Sequence, residues 1–426
     1  MNHWWEIPKH QTSRNNQLWI ANQKATRLAK QFQTPLFVYN ANRIRENYRR
    51  LCEAFDATGA PYSIHYAMKA NPHPAILALL RKLGARIDAV SPNEVRLAKQ
   101  TGFSPEKIFF TGTSVSNDDL TELIASGVLI NIDSFSQMRR LTEKKFDGNA
   151  SIRWNPGTGA GIHDHTITGG KFIKFGIPEK FILKAFQTAR TNGLCVVGLH
   201  QHIGSGWLGN DVQKFLKTVE KTISVGKKAE KILSKPLEFI DFGGGPGIRY
   251  QEKQTDFPIE KYAQGIANAM KKNSLNCPVV IEPGRFIVGD AGILLTEVNT
   301  VETKNIPVIG VNAGFNALIR PAFYGAYHEI VNANRLHTPV KVASMVAGNL
   351  CESGDVFNTD KYSLRKLPKT REGDILAILN AGAYGRAMAS NYNLRERPAE
   401  ILIDEKKTRV ITRKETFRQL IQNQKP

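Results

Sequence analysis

Between residues 61 and 282 the sequence repeats one unit, a short apolar run of β-prone residues followed by a turn and a stretch with helical periodicity. Such a repeat predicts parallel strands joined by helices. Eight units at nearly regular spacing favour a (β/α)8 barrel, and a doubly wound sheet is the alternative. The eight runs are YSIHYAMK (62–69), ARIDAVS (85–91), KIFFTG (107–112), VLINIDS (128–134), ASIRWNP (150–156), CVVGLHQHIG (195–204), LEFIDFGGG (237–245) and PVVIEPG (278–284).

The segments around these runs set the expected domain limits. PNEVRLAKQTG and SNDDLTELIASG open with Pro or Ser and end at Gly, as capped helices do. After residue 284 short runs rich in Val, Ile and Thr alternate with turns, in GILLTEVNTVETK, IPVIGVNAG, PVKVASMVAG, GDILAILNAG and PAEILID. We expect an α/β fold with a TIM-type barrel over residues 37–284 and a C-terminal β-sandwich or β-barrel domain over residues 285–426. Residues 1–36 should pack with the β domain and add an edge strand to it.

The charge and cysteine content narrow the function classes. The chain of 426 residues carries a formal net charge of +20, but Lys and Arg are spread along it and mixed with acids, so we expect no nucleic-acid partner. The basic surface would instead help attract an anionic substrate or cofactor. The four cysteines, at positions 52, 195, 277 and 351, form no CxxC pair, so neither a disulfide framework nor a metal site is expected.

Membrane insertion and export are also not expected. No apolar run approaches the roughly 18 residues that a membrane helix needs. The first residues, MNHWWEIPKH, lack the charged and apolar regions of a signal peptide. The sequence therefore predicts a cytoplasmic protein.

Polar residues stand at the C-terminal end of nearly every predicted strand. Because chemistry in such barrels takes place at that rim, this concentration predicts an active site there. The residues are Lys69, Asp88, Asp133, Asn155, His202 with Ser205, Gly243–Gly245, and Glu282 with Arg285.

Lys69 is a candidate nucleophile. A lysine at the end of an apolar strand is costly unless it reaches solvent or is paired. It can be an edge lysine whose ammonium extends to water, or a Schiff-base lysine activated by desolvation. The residue alone leaves both readings open.

Two glycine-containing turns are candidates for an anion cradle. Gly243, Gly244 and Gly245 in DFGGGPGI would let backbone N–H groups approach a phosphate, although a tight turn would use the same residues. Gly284 and Arg285 in EPGR follow the neighbouring strand and offer a second phosphate contact.

Glu282 and His202 complete the candidate set. A buried carboxylate can hold a ring nitrogen protonated, or it can form an ion pair with Arg285. His202 can stack on a planar cofactor or be a core histidine; His200, one step deeper on the same face, is interpreted as core. Together with Lys69 and the cradle these residues fit pyridoxal phosphate, since no NAD fingerprint is visible.

The motifs resemble the diaminopimelate decarboxylases, which belong to the alanine racemase-like, fold type III pyridoxal-phosphate enzymes. The resemblance runs from about residue 30 to 405 with the motifs in order. It rests on YAMKANPHPAIL, DAVSPNEVRLA, HIGSG, DFGGGPGI, EPGR, IRPAFYGAYHEI, CESGD and NAGAYGRAMASNYNLRERPAEIL.

The resemblance implies a barrel followed by a β domain, and a homodimer whose subunits share active sites. Lys69 would hold pyridoxal 5'-phosphate, with Asp88 beside it, His202 stacked on the ring and Glu282 on the ring nitrogen. Cys351 of the other subunit would donate a proton. The implied phosphate or substrate contacts are Ser205, Gly244, Gly245, Gly284, Arg285, Tyr384, Arg320, Tyr324 and Glu352.

The implied reaction is decarboxylation of meso-2,6-diaminopimelate to L-lysine, the last step of lysine biosynthesis. The alternatives are a related decarboxylase for ornithine, lysine, arginine, a D-amino acid or carboxynorspermidine, a cofactor-free homologue, and a racemase on the same fold. The chain departs from many relatives at Asn349-Leu350, Asn312 and Trp207, none of which removes a catalytic group. Asp355, close to Cys351, is expected to be structural.

Overall fold

A computed structural model of the chain describes residues 3–159, 169–170, 173–338, 340–358 and 363–425. Within them the strands are β1 Gln11–Arg14, β2 Gln17–Ile20, β3 Gln23–Lys24, β4 Leu36–Asn40, β5 Tyr62–Ala67, β6 Arg86–Ala89, β7 Ile108–Phe110, β8 Leu129–Ile132, β9 Asn149–Asn155, β10 Ile177–Pro178, β11 Cys195–Gln201, β12 Phe239–Asp241, β13 Val279–Ile281, β14 Gly292–Thr303, β15 Pro307–Val311, β16 Ile330–Asn332, β17 Lys341–Ala347, β18 Arg365–Pro368, β19 Ile375–Ile378, β20 Ala399–Asp404 and β21 Lys407–Thr412. The helices are α1 Ala25–Phe32, α2 Ala41–Asp56, α3 Pro74–Lys82, α4 Pro92–Gln100, α5 Asn117–Ser126, α6 Phe135–Glu143, α7 Ile182–Thr191, α8 Asp211–Leu233, α9 Ile259–Lys272, α10 Arg285–Val288, α11 Arg320–Tyr324 and α12 Phe417–Ile421.

The chain divides into two compact units. One, the barrel unit, consists of Asn47–Arg249 and Thr255–Phe286; the other, the β unit, consists of Met1–Glu46, Tyr250–Gln254 and Ile287–Pro426. The limits drawn from the sequence at residues 36 and 284 stay a prediction of where the domains begin and end.

The barrel unit contains a closed ring of eight parallel strands. The order is β5-β6-β7-β8-β9-β11-β12-β13, and β13 pairs with β5 to close the ring. Each of these strands lies within one of the eight predicted runs to within one residue, which confirms the barrel and excludes the doubly wound sheet.

Capped helices connect the strands, as the sequence predicts. The side chain of Ser91 accepts a hydrogen bond from the backbone N–H of Glu94 at the start of α4. Ser116 and Asp119 form a reciprocal capping box on α5, which ends at Gly127 with a φ of 71°. Side-chain and backbone groups thus satisfy donors and acceptors that each helix end would leave open.

The interior of the barrel is polar as well as apolar. Asp88, Asn131, Ser151, His200 and Asp241 come from five different strands, and each is 0% exposed. Barrels of this type are usually filled by Val, Ile and Leu. Since buried polar groups need hydrogen-bond partners, this layer predicts a network inside the barrel.

The β unit is built around β14. Its large sheet has the order β18-β17-β15-β14-β4-β20-β21, and β19 pairs with both β14 and β16. The five runs predicted after residue 284 contain β14, β15, β17, β19 and β20, which confirms a β-rich C-terminal domain.

The N-terminal strands differ from the expected edge strand. β1, β2 and β3 form a separate antiparallel sheet instead of extending the large one. Asn15 and Asn16 have φ values of 49° and 62° between β1 and β2, the left-handed pair that a tight hairpin requires. Such a local hairpin closes at a smaller entropy cost than a long-range pairing. Leu18 and Ile20 contribute to the apolar core of the β unit.

Candidate active site

Lys69 lies in a short 3-10 turn, Met68–Ala70, immediately after β5. β5 pairs with β6 so that Ala67 lies opposite Asp88. This pairing brings the side chain of Lys69, two residues after Ala67, close to that of Asp88. The Nζ of Lys69 donates to Oδ2 of Asp88 at 2.8 Å. The lysine side chain is 37% exposed and the aspartate 0% exposed, so the lysine reaches from the rim to a buried anion.

Asp88 is held from two sides. The hydroxyl of Thr111 donates to Oδ1 while Lys69 occupies Oδ2. Burial raises the pKa of Asp88, Glu282 raises it further, and Lys69 and Thr111 oppose the shift. The carboxylate therefore depends on these two partners to stay charged.

Glu282 follows β13 and is 4% exposed. Its Oε2 lies 3.4 Å from Nε2 of His200. Burial by itself would raise the pKa of Glu282, but His200 and Lys69 hold it well below its ordinary value. Oε1 is buried and has no hydrogen-bond partner in the part of the chain that the structure describes. The site thus contains an anionic carboxylate with one unused oxygen.

His202 is held as a neutral ring. Its Nδ1 accepts a hydrogen bond from the backbone N–H of Gly244 at 3.1 Å. Burial, with Lys69 and Arg153, lowers the pKa of His202 well below its ordinary value. An uncharged imidazole fixed by the backbone is suited to pack flat against a ring.

Close approaches require the glycines of the two turns. A Cβ on Gly244 would lie 2.4 Å from the carbonyl oxygen of Glu282, and one on Gly245 would meet the Trp207 ring at 2.4 Å. A Cβ on Gly284 would lie 2.9 Å from the Cβ of Ala70, beside the lysine turn. The N–H of Gly244 already binds His202, so this glycine orients the histidine as well as shaping the cradle.

Ser205 and Arg285 also belong to the barrel unit. Ser205 stands between Gly204 and Gly206, whose φ values are 143° and 93°, and the N–H of Gly206 donates to the carbonyl of Gly245 at 2.8 Å. This bond ties the serine loop to the glycine turn. Arg285 is the first residue of α10 and is 5% exposed.

A cavity of about 300 Å³ lies inside the ring of strand ends, close to the lower end of the usual size for small-molecule sites. It brings together the predicted Lys69, His202 and Glu282. It is lined by Lys69, Val90, Thr111, Gly112, Thr113, Arg153, Phe175, His200, His202 and Glu282.

Arg153 is a cavity residue that the sequence reasoning missed. Its guanidinium lies 4.5 Å from the centre of the Phe175 ring, and its Nε lies 3.8 Å from Oδ1 of Asp133. In ASIRWNP it alternates with buried Ile152 and Trp154, so a charged residue on the inward face of a strand was the available signal.

Two of the polar strand ends organise loops instead of lining the cavity. Asp133 accepts from the Thr113 hydroxyl at 2.5 Å and from the Gly176 N–H at 2.9 Å. Asn155 accepts from the N–H groups of Gly157 and Gly170, each at 3.0 Å.

Arg320 and Tyr324 lie in the β unit, at the two ends of α11. Nδ1 of His328 donates to the carbonyl of Leu379 at 2.8 Å, so Nε2 is the nitrogen that accepts hydrogen bonds. Nη1 of Arg320 donates to that Nε2 at 2.8 Å and to the Tyr250 hydroxyl at 3.2 Å. These two bonds fix the direction of the guanidinium, and Arg320 is only 5% exposed.

Cys351 and Glu352 are exposed on a loop of the β unit. Asp355 holds this loop: its carboxylate accepts from the N–H of Leu350 at 2.8 Å and of Phe315 at 2.6 Å. The backbone N–H of Cys351 donates to Oδ1 of Asn393 at 2.7 Å. The structural role expected for Asp355 is confirmed.

Tyr384, also in the β unit, has a φ of 56°. A non-glycine residue in the left-handed region costs free energy and often marks a functional position. Tyr384 is half-buried.

Comparisons with known proteins agree with this geometry. Residues 41–289 match the family model described as "Pyridoxal-dependent decarboxylase, pyridoxal binding domain". The chain is 43% identical to a diaminopimelate decarboxylase of Methanothermobacter thermautotrophicus over 98% of both chains, and 35% identical to one of Aquifex aeolicus over 96% of both.

A solved structure is similar over nearly the whole chain. The crystal structure of the diaminopimelate decarboxylase of M. jannaschii with L-lysine is 34% identical, covers 98% of each chain and has a TM-score of 0.89.

No helix in the described residues has the length and apolar content needed to cross a membrane.

Proposed function

This chain belongs to the diaminopimelate decarboxylases, and on this premise we propose that pyridoxal 5'-phosphate is its cofactor and that Lys69 is the residue that carries it. The protein converts meso-2,6-diaminopimelate to L-lysine and CO2, the last step of lysine biosynthesis. The observation that carries the cofactor proposal is the buried Oε1 of Glu282, which has no partner in the described residues and belongs to the cavity that Lys69 also lines.

The residues present fit this cofactor. When bound, pyridoxal phosphate supplies a protonated ring that accepts the electron pair left as CO2 departs. Glu282 is an anion with an oxygen available for the ring nitrogen, and His202 is a neutral ring that can pack on the flat face. We assign the phosphate to Ser205, Gly245, Gly284 and Arg285 of the barrel unit, with Gly244 shaping the turn through its bond to His202, and Tyr384 stays a prediction from the resemblance.

Asp88 has two tasks in this proposal. It orients the amino group of Lys69 before the substrate amine replaces it, and it holds the ammonium of Lys69 afterwards. A buried carboxylate that already has a hydroxyl donor can receive the cation without reorganising.

The distal end of the substrate explains the need for an arginine. Diaminopimelate has a second carboxylate there, and a guanidinium binds a carboxylate through two parallel hydrogen bonds. Arg320, held by His328 and Tyr250, is the proposed partner, with Arg285, Tyr324 and Tyr384 as further contacts. Glu352 would bind the distal ammonium.

Cys351 is the proposed proton donor, and a homodimer is the assembly that would bring it to the cavity of the partner subunit. The supporting observation is exposure: Cys351 is exposed, and its backbone N–H donates to Asn393, whose chain neighbours Tyr392 and Leu394 are 44% and 58% exposed. Large exposed side chains with apolar surface suit an interface. The cytoplasmic location and the absence of a nucleic-acid partner stay predictions.

Product analysis tests this function. Purified protein supplied with pyridoxal phosphate is incubated with meso-, LL- or DD-diaminopimelate, and in parallel with lysine, ornithine and arginine. We expect CO2 and L-lysine from the meso isomer and little CO2 from the others, with no turnover by a K69M variant. Absence of CO2 from meso-diaminopimelate, with release from ornithine or arginine, would contradict the assignment.

A further inference from the structure

Four buried side chains from separate strand regions form one hydrogen-bonded chain that ends at Glu282. The Ser151 hydroxyl donates to Oδ1 of Asn131 at 2.6 Å, and Nδ2 of Asn131 lies 2.9 Å from Nδ1 of His200. Nε2 of His200 lies 3.4 Å from Oε2 of Glu282. Each of the four is at most 4% exposed, so water cannot replace these bonds.

The order of donors and acceptors determines where the hydrogen of His200 lies. A serine hydroxyl on Oδ1 of Asn131 leaves the amide NH2 group to face the histidine. Nδ1 of His200 must then accept, because two N–H groups facing each other in a buried site would repel and lose a bond. In a neutral imidazole the hydrogen is consequently on Nε2, the nitrogen that faces Glu282.

We propose that His200 is a positioning residue for the cofactor site: held by Asn131 and Ser151, it donates to Oε2 of Glu282 and so leaves Oε1 for the ring nitrogen. The inference rests on the proposed function, since it assumes pyridoxal phosphate in the cavity. His200 lines the same cavity, but its assigned action passes through Glu282. The core role expected for His200 is therefore only part of what it does.

A second buried carboxyl group, that of Asp241, lies beside Glu282. Asp241 is 0% exposed, and its Oδ1 accepts the N–H of Gly243 at 2.7 Å. Burial and the neighbouring Glu282 raise the pKa of Asp241 well above its ordinary value, and the N–H of Gly243 opposes the shift. Atoms of His200, Asp241 and Glu282 lie within 4.8 Å of one another, which would suit a cation only if Asp241 were ionised.

His65 provides a matched control. It is 5% exposed, and its ring meets Phe109 edge-on at 5.9 Å, as that of His200 does at 6.0 Å. Neither nitrogen of His65 has a hydrogen-bond partner in the described residues. Replacing either histidine by leucine removes a buried ring from the same aromatic neighbour, but only one replacement removes a donor to Glu282.

The test compares H200L, H200Q and H65L with the wild type. Pyridoxal phosphate is titrated into each cofactor-free protein, its Kd is measured from the visible absorbance, and kcat and KM for meso-diaminopimelate are then measured. We expect H200L to weaken cofactor binding and lower kcat by roughly 10- to 100-fold, with KM changed less than about twofold. H200Q, whose amide can still donate toward Glu282, should recover most of the cofactor affinity and most of kcat. H65L should resemble the wild type in both quantities.

The outcomes separate this inference from the proposed function. Wild-type protein that takes up no pyridoxal phosphate would remove the cofactor assignment itself. Wild-type binding together with an unchanged Kd and kcat in H200L would overturn only the role of His200. Equal losses in H200L and H65L would show that burial of a ring, not donation to Glu282, is what matters.

Discussion

The amino group of Lys69 donates at 2.8 Å to Asp88, a carboxylate 19 residues further along the chain and inaccessible to solvent. The pair is formed by the parallel pairing of β5 with β6, which sets Ala67 beside Asp88. Its burial is asymmetric, since the lysine reaches solvent and the aspartate does not. Removing the Lys69 side chain therefore leaves the buried charge of Asp88 without a partner. Removing the Asp88 carboxylate instead leaves an ammonium that water can solvate.

Loss of Lys69 should destabilise the cofactor-free protein through Asp88. We expect K69M to lower the free energy of unfolding by about 1–3 kcal/mol, because Asp88 loses its counter-charge. Adding D88N to K69M should restore most of the loss, since an amide carries no charge to bury. Thermal unfolding of the single and double variants measures the coupling between Lys69 and Asp88. A double variant less stable than K69M would contradict the expected stabilisation of Asp88 by Lys69.

The stability of the barrel should depend on the ionisation of Glu94. Oε2 of Glu94 accepts the N–H of Val90 at 2.8 Å, and burial raises the pKa of the carboxyl from 4.5 to about 7. The folded state then binds the proton more tightly than the unfolded state, so this contribution is complete below about pH 4.5 and is lost as the pH rises to about 7. E94Q should lack this loss, which amounts to on the order of 3 kcal/mol. Unfolding midpoints between pH 4.5 and 8 measure it.

The control for Glu94 is E143Q, which changes an exposed glutamate paired with Arg139 on α6. Its unfolding midpoint should follow the wild type at every pH. If E94Q and the wild type also changed in parallel across this range, the raised pKa of Glu94 would be wrong.

Gly284 should be intolerant of a side chain because of the lysine turn. A Cβ there would lie 2.9 Å from the Cβ of Ala70 and 3.1 Å from the carbonyl oxygen of Ala67, so G284A should displace Lys69. We expect a loss of roughly tenfold or more in kcat/KM, since small misplacements of a reacting group are costly. A70G added to G284A removes the closest contact and should recover part of the activity, while A70G alone should have a small effect. Equal activity of G284A and the wild type would refute the steric argument.

Arg320 should determine recognition of the distal carboxylate. R320M is expected to raise KM for meso-diaminopimelate by roughly 10- to 100-fold, the usual cost of a lost charged hydrogen-bonded pair. R335M is the matched control, because Arg335 forms an ion pair with Asp374 in the same unit. Steady-state kinetics distinguish the two variants, and similar KM values for both would remove Arg320 from substrate binding.

Shared active sites should allow two inactive variants to complement each other. K69M and C351A damage different parts of the proposed site, so a mixed dimer would have one intact site and one with both defects. Random exchange at equal concentrations should restore about a quarter of the wild-type activity, since half of the dimers are mixed and each has one working site. A mixture of two differently tagged K69M preparations is the control. No recovery in mixtures shown to contain mixed dimers would place Cys351 and Lys69 in the same subunit's site, whereas a C351A variant that is active by itself would remove Cys351 from the reaction.

Local patterns explain the accuracy of the fold prediction. The alternation of strand residues, the caps such as Ser91 and Ser116, and the glycine after α5 act within a few residues, and the eight predicted barrel strands formed where their signals lie. The edge strand expected from residues 1–36 was wrong for the same reason. Asn15 and Asn16 close a local hairpin, so β1, β2 and β3 form a sheet of their own.

The contacts of Glu282 show the limit of that reasoning. Its position at a strand end predicted a role, but its partner His200 is 82 residues away and was interpreted as core. Arg153 was missed for the same reason, since an inward charged residue has meaning only when the opposite wall of the barrel is known.

The sequence by itself determined the eight-unit barrel, the β-rich C-terminal domain, and the rim at which Lys69, His202 and Glu282 stand, because periodicity and strand ends are properties of neighbouring residues. Only the tertiary structure decided that Lys69 meets Asp88, that Ser151, Asn131 and His200 form a buried chain to Glu282, and that Asp241, whose pKa burial raises, lies beside Glu282. These facts depend on ring closure and on desolvation, which arise only when distant strands enclose the same small volume.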